Sequence, residues 1–482
     1  MWTTLVFASN KIITFGATLV LARILTPSDF GLVALAGVAI GFLALLSDLG
    51  LGGSLVVRKH LDDRAAGTIL TLMLLMGALT TALIAAAAPV VAAIFDEPRL
   101  APVLAILGIG VVLSAPAWFY STVLQRELEF KRRFRCQLAQ SLTFAIVSVS
   151  TAAAGAGYWS LVAGHLAGTM VFVIALGAAA PYRVRPTLEW VAAKEALKEG
   201  RGFLAQSGLA FFESNTDSLS VGGFLGSAQL GFYSMAYRVG ELPYWAVTEP
   251  VATVTFPGFA RMRHRGESVA ASFLSVLSLV ALVACPMGVL LSATANVFTL
   301  TLFGSEWLPM AGVLAILGIW GTLNHVEASI GWLMNSVDRA GLNAGISAGT
   351  LPVFIVATVL AASLGSIETV AWVMLAHVAV SLMIRMVAAD RILSVPLGDQ
   401  WRAIRPVLLG SAAAWAVARA LADALTWAAP ITLGAALVAG AGSYVAVISI
   451  AEPGVIRRSI EKLRRTIKAA ADPQTEQGQP EH

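Results

Sequence analysis

The stretch VLAILGI occurs at Val103–Ile109 and again at Val313–Ile319. One such match could arise by chance in an apolar chain, so the flanking sequence decides what it means. A second pair, LTPSDFGL at Leu25–Leu32 and LGSAQLGF at Leu225–Phe232, shares a leucine and a glycine at the same places. The two matches keep the same order, with offsets of 210 and 200 residues. This predicts that the second half of the chain repeats the first.

The first of these stretches also contains the signals that begin a helix. Thr26 suits the capping position, Pro27 the first helical position and Asp29 the acidic third position. Gln229 stands where Asp29 does in the second copy and can serve the same purpose. Each copy is therefore predicted to be a turn that leads into a long helix.

Composition places the chain in a lipid environment. Of the 482 residues, 57% are hydrophobic and only 12% are charged, about half the charged share of a soluble domain. Nearly charge-free runs recur along the chain, and a helix needs roughly 20 apolar residues to cross a bilayer. The first run, at 2–25, lacks the basic start of a cleavable signal peptide and is predicted to be the first transmembrane helix.

The sequence predicts an all-α integral membrane protein with about fourteen transmembrane helices. The predicted spans are 3–25, 30–56, 66–94, 100–124, 136–155, 158–180, 203–225, 229–259, 270–294, 309–335, 342–364, 368–390, 404–424 and 428–450.

Lys and Arg are unevenly distributed among the connections. Of the 32 basic residues, 26 fall in alternate connections or the C-terminal tail, and the other connections hold only Arg99. The positive-inside rule places the basic connections in the cytoplasm. The protein is therefore expected to be a multi-pass membrane protein with both termini cytoplasmic. Its net charge of +4 reflects this topology and attraction to membrane lipids, not nucleic-acid binding.

The repeat divides the chain into predicted parts. Because six spans separate matching segments, the halves should be parallel repeats about an axis along the membrane normal, with the substrate path between them. The parts are an N-terminal six-helix bundle, a cytoplasmic amphipathic linker, a C-terminal six-helix bundle, two additional transmembrane helices and a basic, then disordered, cytoplasmic tail. They cover 1–180, 181–202, 203–392, 403–450 and 451–482, respectively.

Several stretches resemble one known family. LARILTPSDFGLVALAGV at Leu21–Val38, followed by SDLGLGGSLVVRK at Ser47–Lys59, resembles the Wzx-type polysaccharide flippases. These are the polysaccharide transport branch of the multidrug/oligosaccharidyl-lipid/polysaccharide exporter superfamily. LGFYSMAYRVGELP at Leu230–Pro243 is similar to the start of that family's second half. The resemblance implies a V-shaped pair of helical bundles. It also implies a location in the bacterial cytoplasmic (inner) membrane. There the protein would flip undecaprenyl-pyrophosphate-linked oligosaccharide repeat units from the cytoplasmic to the periplasmic leaflet, for cell-surface or exopolysaccharide synthesis.

Three basic residues within or beside the predicted spans are candidate substrate contacts: Lys11, Arg23 and Arg238. A charge at mid-bilayer costs about 2.5–3.5 kcal/mol on insertion scales, so it should face a cavity or a partner. If the first span began after Lys11, residues 12–25 would cover only about 21 Å of a core of about 30 Å. Arg suits bidentate contact with phosphate and Lys acts as a point charge, so both fit a pyrophosphate. Arg23 could instead snorkel or pair with Asp29.

Acidic and amide side chains form a second candidate set, predicted to line a cavity or to couple ion movement. Those of the seventh span share one helical face. The set is Gln206, Glu213, Asp217, Glu241, Glu249, Asn324 and Glu327. An ion pair from Arg238 to Glu213 or Asp217 is a further expectation.

Other functions fit the sequence less well. A drug/cation antiporter or a lipid II flippase of the same superfamily is the main alternative, and the mixed signs of the intramembrane charges do not exclude either. A membrane glycan polymerase would need a sizeable extramembrane segment, whereas the longest predicted periplasmic segment, 294–309, has only Glu306 as a charged residue. No metal-ligand spacing, phosphate-binding loop or nucleophile motif is found. The protein is predicted to be no enzyme and to need no cofactor or metal. The predicted partners are lipid-linked oligosaccharide and membrane lipids, with a glycan polymerase as a further candidate and no nucleic acid.

Overall fold

The computed structural model describes residues 2–48, 63–127, 129–180, 184–243, 251, 259, 269–337 and 339–453. The regular secondary structure of these residues is helical. The thirteen α-helices within them are α1 (Trp2–Ala22), α2 (Pro27–Asp48), α3 (Asp63–Ile94), α4 (Leu100–Arg126), α5 (Phe130–Ala153), α6 (Trp159–Ala179), α7 (Trp190–Gly240), α8 (Ala270–Leu302), α9 (Ala311–Ser336), α10 (Ala340–Ser363), α11 (Ile367–Leu393), α12 (Leu397–Ala424) and α13 (Ala429–Ala451). A 3₁₀ turn at Ser305–Met310 precedes α9.

Eleven segments of the described chain are long and apolar enough to cross a membrane. They lie in α2 to α6 and in α8 to α13, while α1 contributes a shorter apolar stretch, Asn10–Ala22. Helix α7, which carries the predicted polar stripe, is not among the eleven. The predicted all-α, multi-pass membrane architecture is thereby confirmed.

Apolar side chains cover the outer faces of the spans. On α3, Leu75, Leu79 and Leu83 are spaced by four residues and are about half exposed, at 51%, 51% and 48%. On α10, Val353 and Leu360 are 71% and 60% exposed. Such contiguous apolar stripes are unstable in water, so these faces are suited to lipid.

Helix α7 joins elements that the sequence predicted to be separate. The predicted linker at 181–202 becomes helical at Trp190 and continues directly into the predicted seventh span. No proline interrupts residues 190–225, so nothing breaks the helical hydrogen bonding there. Gly226 does break it, with φ 82° and ψ 177°, a conformation that favours glycine. The break lies between the predicted spans 203–225 and 229–259, and it divides α7 into a first segment (190–225) and a second segment (227–240).

The first compact unit comprises Trp2–Met235 and Leu351–Val373. Helices α3 and α4 enclose Ile69 and Phe119, which are both 0% exposed. Helices α4, α5 and α6 meet around Leu176. This unit includes α7 as far as Met235, beyond the predicted domain boundary at 180, and the predicted domain bounds stay a prediction.

The second compact unit comprises Ala236–Thr350 and the described residues from Met374 onward. Its core gathers side chains of α8, α9, α11, α12 and α13 around the fully buried Leu333. The two helices predicted to follow the repeat, α12 and α13, pack against α8. The hydroxyl of Tyr444 on α13 donates a 2.5 Å hydrogen bond to the carbonyl oxygen of Leu282 on α8.

Candidate functional site

The predicted polar stripe lies on the first segment of α7, and its central acid is deeply buried. Asp217 is 1% exposed, and its Oδ2 accepts a 2.7 Å hydrogen bond from the hydroxyl of Tyr233, which is 0% exposed. Tyr233 lies on the second segment, so this bond links the two segments across the break at Gly226. Burying an ionised carboxylate beside a neutral donor is costly. Asp217 therefore occupies a position in α7 at which an ionised carboxylate is costly.

The other members of the stripe differ in accessibility. Glu213, one turn before Asp217, is half-buried. Ser220 is buried, and its hydroxyl donates to the carbonyl oxygen of Thr216 in its own helix at 2.7 Å. The backbone of Gln206 belongs to α7, but its side chain lies outside the described part of the chain. Glu213 is thus partly accessible, whereas Asp217 is not.

Two of the three candidate cations lie in α1 or directly after it. Lys11 is exposed near the middle of this 21-residue helix, about 14 and 17 Å from its two ends. Arg23 is exposed immediately after the helix ends, about 18 Å from Lys11 along the axis. Lys11 and Arg23 therefore lie at different positions along the axis of α1. The Oδ2 of Asp29 accepts hydrogen bonds from the backbone and hydroxyl of Thr26 at 2.9 and 2.8 Å, which confirms the predicted helix cap.

The third candidate cation lies near the end of α7. Arg238 is exposed on the second segment, and Glu241 is half-buried just beyond it. A cation that faces hydrocarbon is expensive, so an exposed arginine in a predicted span indicates a water-filled space. Glu249 lies outside the described residues. The predicted ion pair from Arg238 to an acid of the first segment stays a prediction.

Glu327 belongs to a polar network in the second compact unit. Its Oε1 accepts hydrogen bonds from the hydroxyl of Ser381 at 2.8 Å and from the guanidinium of Arg385. Arg385 also donates to Asn343 Oδ1 at 2.9 Å and to Ser347 Oγ at 3.0 Å. The side chains of Arg385 and Glu327 are 7% and 16% exposed. The network thus joins α9, α10 and α11 through a buried ion pair, while Asn324, one turn before Glu327, is half-buried.

Arg385 belongs to this network but is absent from the site residues predicted from the sequence. The sequence does place this charged residue within a predicted span, which is a signal of a functional or paired residue. It does not show which helices lie next to Arg385. Its partners Glu327 and Asn343 lie 58 and 42 positions away. Only the three-dimensional arrangement identifies them.

The candidate residues that the structure describes can supply charge and hydrogen bonds. Within the described ranges, no cluster of three or more His, Cys, Asp or Glu side chains is placed to hold a metal ion. Exposed cations such as Lys11 and Arg238 suit phosphate oxygens. Half-buried acids such as Glu213 suit protons, cations or sugar hydroxyls.

These helices and their internal charges define a multi-pass α-helical membrane protein with polar groups inside its spans. The chain belongs to the family of polysaccharide biosynthesis proteins, which it matches over residues 20–312, more than half of its length. The resemblance to polysaccharide flippases inferred from the sequence is thereby confirmed.

The chain is also similar to two curated relatives and to one solved structure. It is similar to the lipopolysaccharide biosynthesis protein WzxC of Escherichia coli (strain K12), with 27% identity over 331 residues that cover 67% of this chain and 66% of WzxC. It is 24% identical to the teichuronic acid biosynthesis protein TuaB of Bacillus subtilis (strain 168) over 431 residues, which cover 88% of this chain and 89% of TuaB. The matched segment thus spans just under two thirds of WzxC. The fold is similar to that of the lipid II flippase MurJ in an inward closed conformation, with a TM-score of 0.79, 12% identity and coverage of 94% and 99% of the two chains.

Proposed function

We propose that the protein flips undecaprenyl-pyrophosphate-linked oligosaccharide from the cytoplasmic to the periplasmic leaflet of the inner membrane, without catalysing a covalent step. The family match over residues 20–312 carries this proposal. Two relatives named for the biosynthesis of different cell-surface glycans support it. The MurJ-like fold supplies a helical framework that suits a lipid-linked cargo.

The proposed architecture has fourteen spans. Eleven are the apolar segments, α1 is the twelfth, and the two segments of α7 supply the other two. The basic connections face the cytoplasm, so both termini are cytoplasmic and the α3–α4 connection is periplasmic. Two six-helix halves are followed by α12 and α13.

The repeated stretch VLAILGI supports two related halves. Its copies lie within the first three turns of α4 and α9. The first, second and fifth residues of both copies are buried: Val103, Leu104 and Leu107, and Val313, Leu314 and Leu317. The glycine of each copy packs closely on the preceding long helix, since a β-carbon on Gly108 would lie 2.8 Å from Ile84 Cγ2 and one on Gly318 would lie 2.9 Å from the nitrogen of Ser292. The two copies therefore agree in their place along the helix, in which residues are buried and in the close packing of the glycine.

The exposed cations are assigned to the pyrophosphate. Lys11 supplies a point charge at mid-membrane depth, and Arg238 supplies a planar donor for bidentate contact. Arg23, immediately after the end of α1, is a further contact. Glu213 and Glu241 are proposed to line the aqueous path, and Asp217 to couple ion movement.

The first test of this function is lipid analysis of cells that lack the protein. Undecaprenyl-pyrophosphate oligosaccharide is expected to accumulate in the cytoplasmic leaflet, and the trapped glycan identifies the substrate. Arrival of unpolymerised glycan in the periplasm would contradict flipping and indicate a later step such as polymerisation. Uptake of cationic dyes tests the alternative of a drug/cation antiporter. If the protein is a flippase, cells with and without it should take up the dyes equally.

The residue roles are tested by charge removal. Lys11→Ala and Arg238→Ala should leave the protein inserted and folded but stop glycan export. Arg402→Ala is a matched control, because Arg402 is an exposed arginine that pairs with Asp399 at 3.1 Å on the outside of α12. Normal export by both test variants would remove the pyrophosphate assignment.

A further inference from the structure

The guanidinium of Arg385 lies among oxygen atoms from three helices of the second compact unit. Its Nε donates to Asn343 Oδ1 at 2.9 Å and its Nη2 to Ser347 Oγ at 3.0 Å, both on α10. Its Nη1 donates to Glu327 Oε1 on α9 and to Ser381 Oγ on α11. Four oxygens thus surround one positive group. We call Glu327, Asn343, Ser347 and Ser381 the oxygen cage.

The oxygen cage is largely shielded from water. Ser347, Ser381 and Arg385 are buried, and the side chain of Glu327 is 16% exposed. An ionised carboxylate in such surroundings is costly unless a positive group or a bound proton compensates it. Without Arg385, the oxygen cage would carry one uncompensated negative charge.

The four oxygens are of the kinds that bind cations. Asn343 Nδ2 donates to Asn335 Oδ1 at 3.2 Å, and this second hydrogen bond holds the amide with its oxygen towards Arg385. Carboxylate and amide oxygens are preferred ligands of hard cations, and hydroxyl oxygens accept hydrogen bonds from organic ones. The oxygen cage is therefore suited to a cation in general, and in this protein the side chain of Arg385 fills it.

The oxygen cage lies within the spans but nearer to one end of them. Glu327 is nine residues before the end of α9 at Ser336, or about 14 Å. Arg385 is eight residues before the end of α11 at Leu393, or about 12 Å. Asn343, in the first turn of α10, is half-buried. The most accessible side of the oxygen cage thus faces the turn between α9 and α10.

The buried acid of the first compact unit has a different environment. Asp217 accepts its 2.7 Å hydrogen bond from the neutral hydroxyl of Tyr233, whereas Glu327 accepts from a guanidinium. A neutral donor leaves the charge of a carboxylate uncompensated, while a guanidinium cancels it. The chain itself thus supplies the counter-charge of Glu327.

We propose that the oxygen cage is a cation-binding site that the protein fills with its own side chain, Arg385. Arginine does not release its proton, and its planar fork reaches several acceptors at once. Glu327 therefore stays neutralised throughout the transport cycle and takes no part in the ion coupling assigned to Asp217. This last step rests on the proposed flipping function, whereas the cation-binding site does not.

The test empties the oxygen cage and offers it a free cation. Full-length Arg385→Ala is purified, and its melting temperature is measured against methylguanidinium concentration, with choline keeping the ionic strength constant. An alkaline buffer keeps protons from competing for Glu327. The melting temperature should rise with the logarithm of the methylguanidinium concentration, as binding to one site of the folded protein requires.

Three controls show whether the cation binds in the oxygen cage. The unmodified protein should show no such rise, and neither should Arg402→Ala, which removes an exposed arginine paired with Asp399 at 3.1 Å. Glu327→Gln/Arg385→Ala keeps the space but lacks the charge, so it should need at least tenfold more methylguanidinium for the same rise. No rise in Arg385→Ala, or an equal rise in the unmodified protein, would overturn the cation-binding site.

A second pair of variants answers the same question if Arg385→Ala does not fold. Arg385→Lys keeps a positive charge in the oxygen cage, whereas Arg385→Met has an unbranched side chain without charge. Arg385→Lys should therefore melt at a higher temperature than Arg385→Met. An equal or lower melting temperature for Arg385→Lys would overturn the proposal.

The exclusion of Glu327 from coupling is tested by removing both charges. In Glu327→Leu/Arg385→Met, any dependence of flipping on sodium or on pH should be the same as in the unmodified protein. A changed dependence would show that Glu327 takes part in coupling and would overturn this step. If the unmodified protein does not flip glycan at all, the proposed function fails, while the melting experiment still decides the cation-binding site.

Discussion

The buried pair of Glu327 and Arg385 makes a quantitative prediction about stability. Glu327→Leu leaves a guanidinium that is 7% exposed without its counter-charge, and arginine cannot release its proton. Removal of one partner from a buried pair costs about 3–5 kcal/mol. Arg385→Met leaves a carboxyl that can take up a proton instead, so we expect a smaller loss of about 1–3 kcal/mol. The double variant should regain most of the loss, since apolar replacement of a whole buried pair is often neutral.

Thermal unfolding in detergent measures these differences. An unfolding entropy of about 2.1 cal/mol/K per residue gives about 1 kcal/mol/K for this 482-residue chain. Glu327→Leu should therefore lower the melting temperature by about 3–5 °C. The exposed pair of Arg402 and Asp399 is the control, since surface pairs contribute about 0–1 kcal/mol. A larger loss for Arg385→Met than for Glu327→Leu, or additive losses in the double variant, would refute the reasoning.

Three further predictions concern the first compact unit. Tyr233→Phe should destabilise the protein by about 1–3 kcal/mol, because it removes the hydroxyl that donates a hydrogen bond to Asp217. An unchanged melting temperature would count against that hydrogen bond. Gly31→Leu should reduce glycan export at least tenfold, because a β-carbon on Gly31 would lie 1.7 Å from the carbonyl oxygen of Ser227. Gly37→Leu, at a position with open space around it, should export normally; equal export by both variants would contradict the importance of this close approach. Because the pKa of Glu97 is lowered, its ion pair is fully present above pH 4.5 and is lost only as the pH falls through the lowered value. Maleimide labelling of Ser28→Cys, beside the ion pair of Arg99 and Glu97, should stay low from pH 8 to 5 when it is measured at each pH relative to the same cysteine in an Arg99→Gln background. A rise within that range would contradict this.

Local signals predicted local structure well. The capping residues Thr26 and Asp29 form the expected hydrogen bonds, and the predicted boundary between two spans contains the break at Gly226. Lys11 lies near the middle of α1, as the length argument required. Each of these features depends on residues within one or two helical turns, which is the range that sequence periodicity describes.

Long-range pairing could not be predicted from one sequence. Ser28 and Ser227 are 199 positions apart, and Glu97 and Ser227 are 130 apart. Hydropathy fixes the depth of each residue in the membrane but not the rotation of one helix against another. The repeat did align α2 with the second segment of α7, yet alignment does not imply contact. The close approach of Gly31 to Ser227 and of Gly231 to Pro27 emerged only from the structure.

The most direct test of the flipping function is transbilayer movement by the purified protein. Lipid-linked oligosaccharide from cells that lack the protein is placed in both leaflets of sealed vesicles, with or without the protein, and an impermeant glycosidase is added outside. We predict that vesicles without protein lose only their outer-leaflet glycan, whereas vesicles with the protein lose the inner-leaflet glycan as well. Retention of the inner-leaflet glycan in the presence of folded protein would contradict the account.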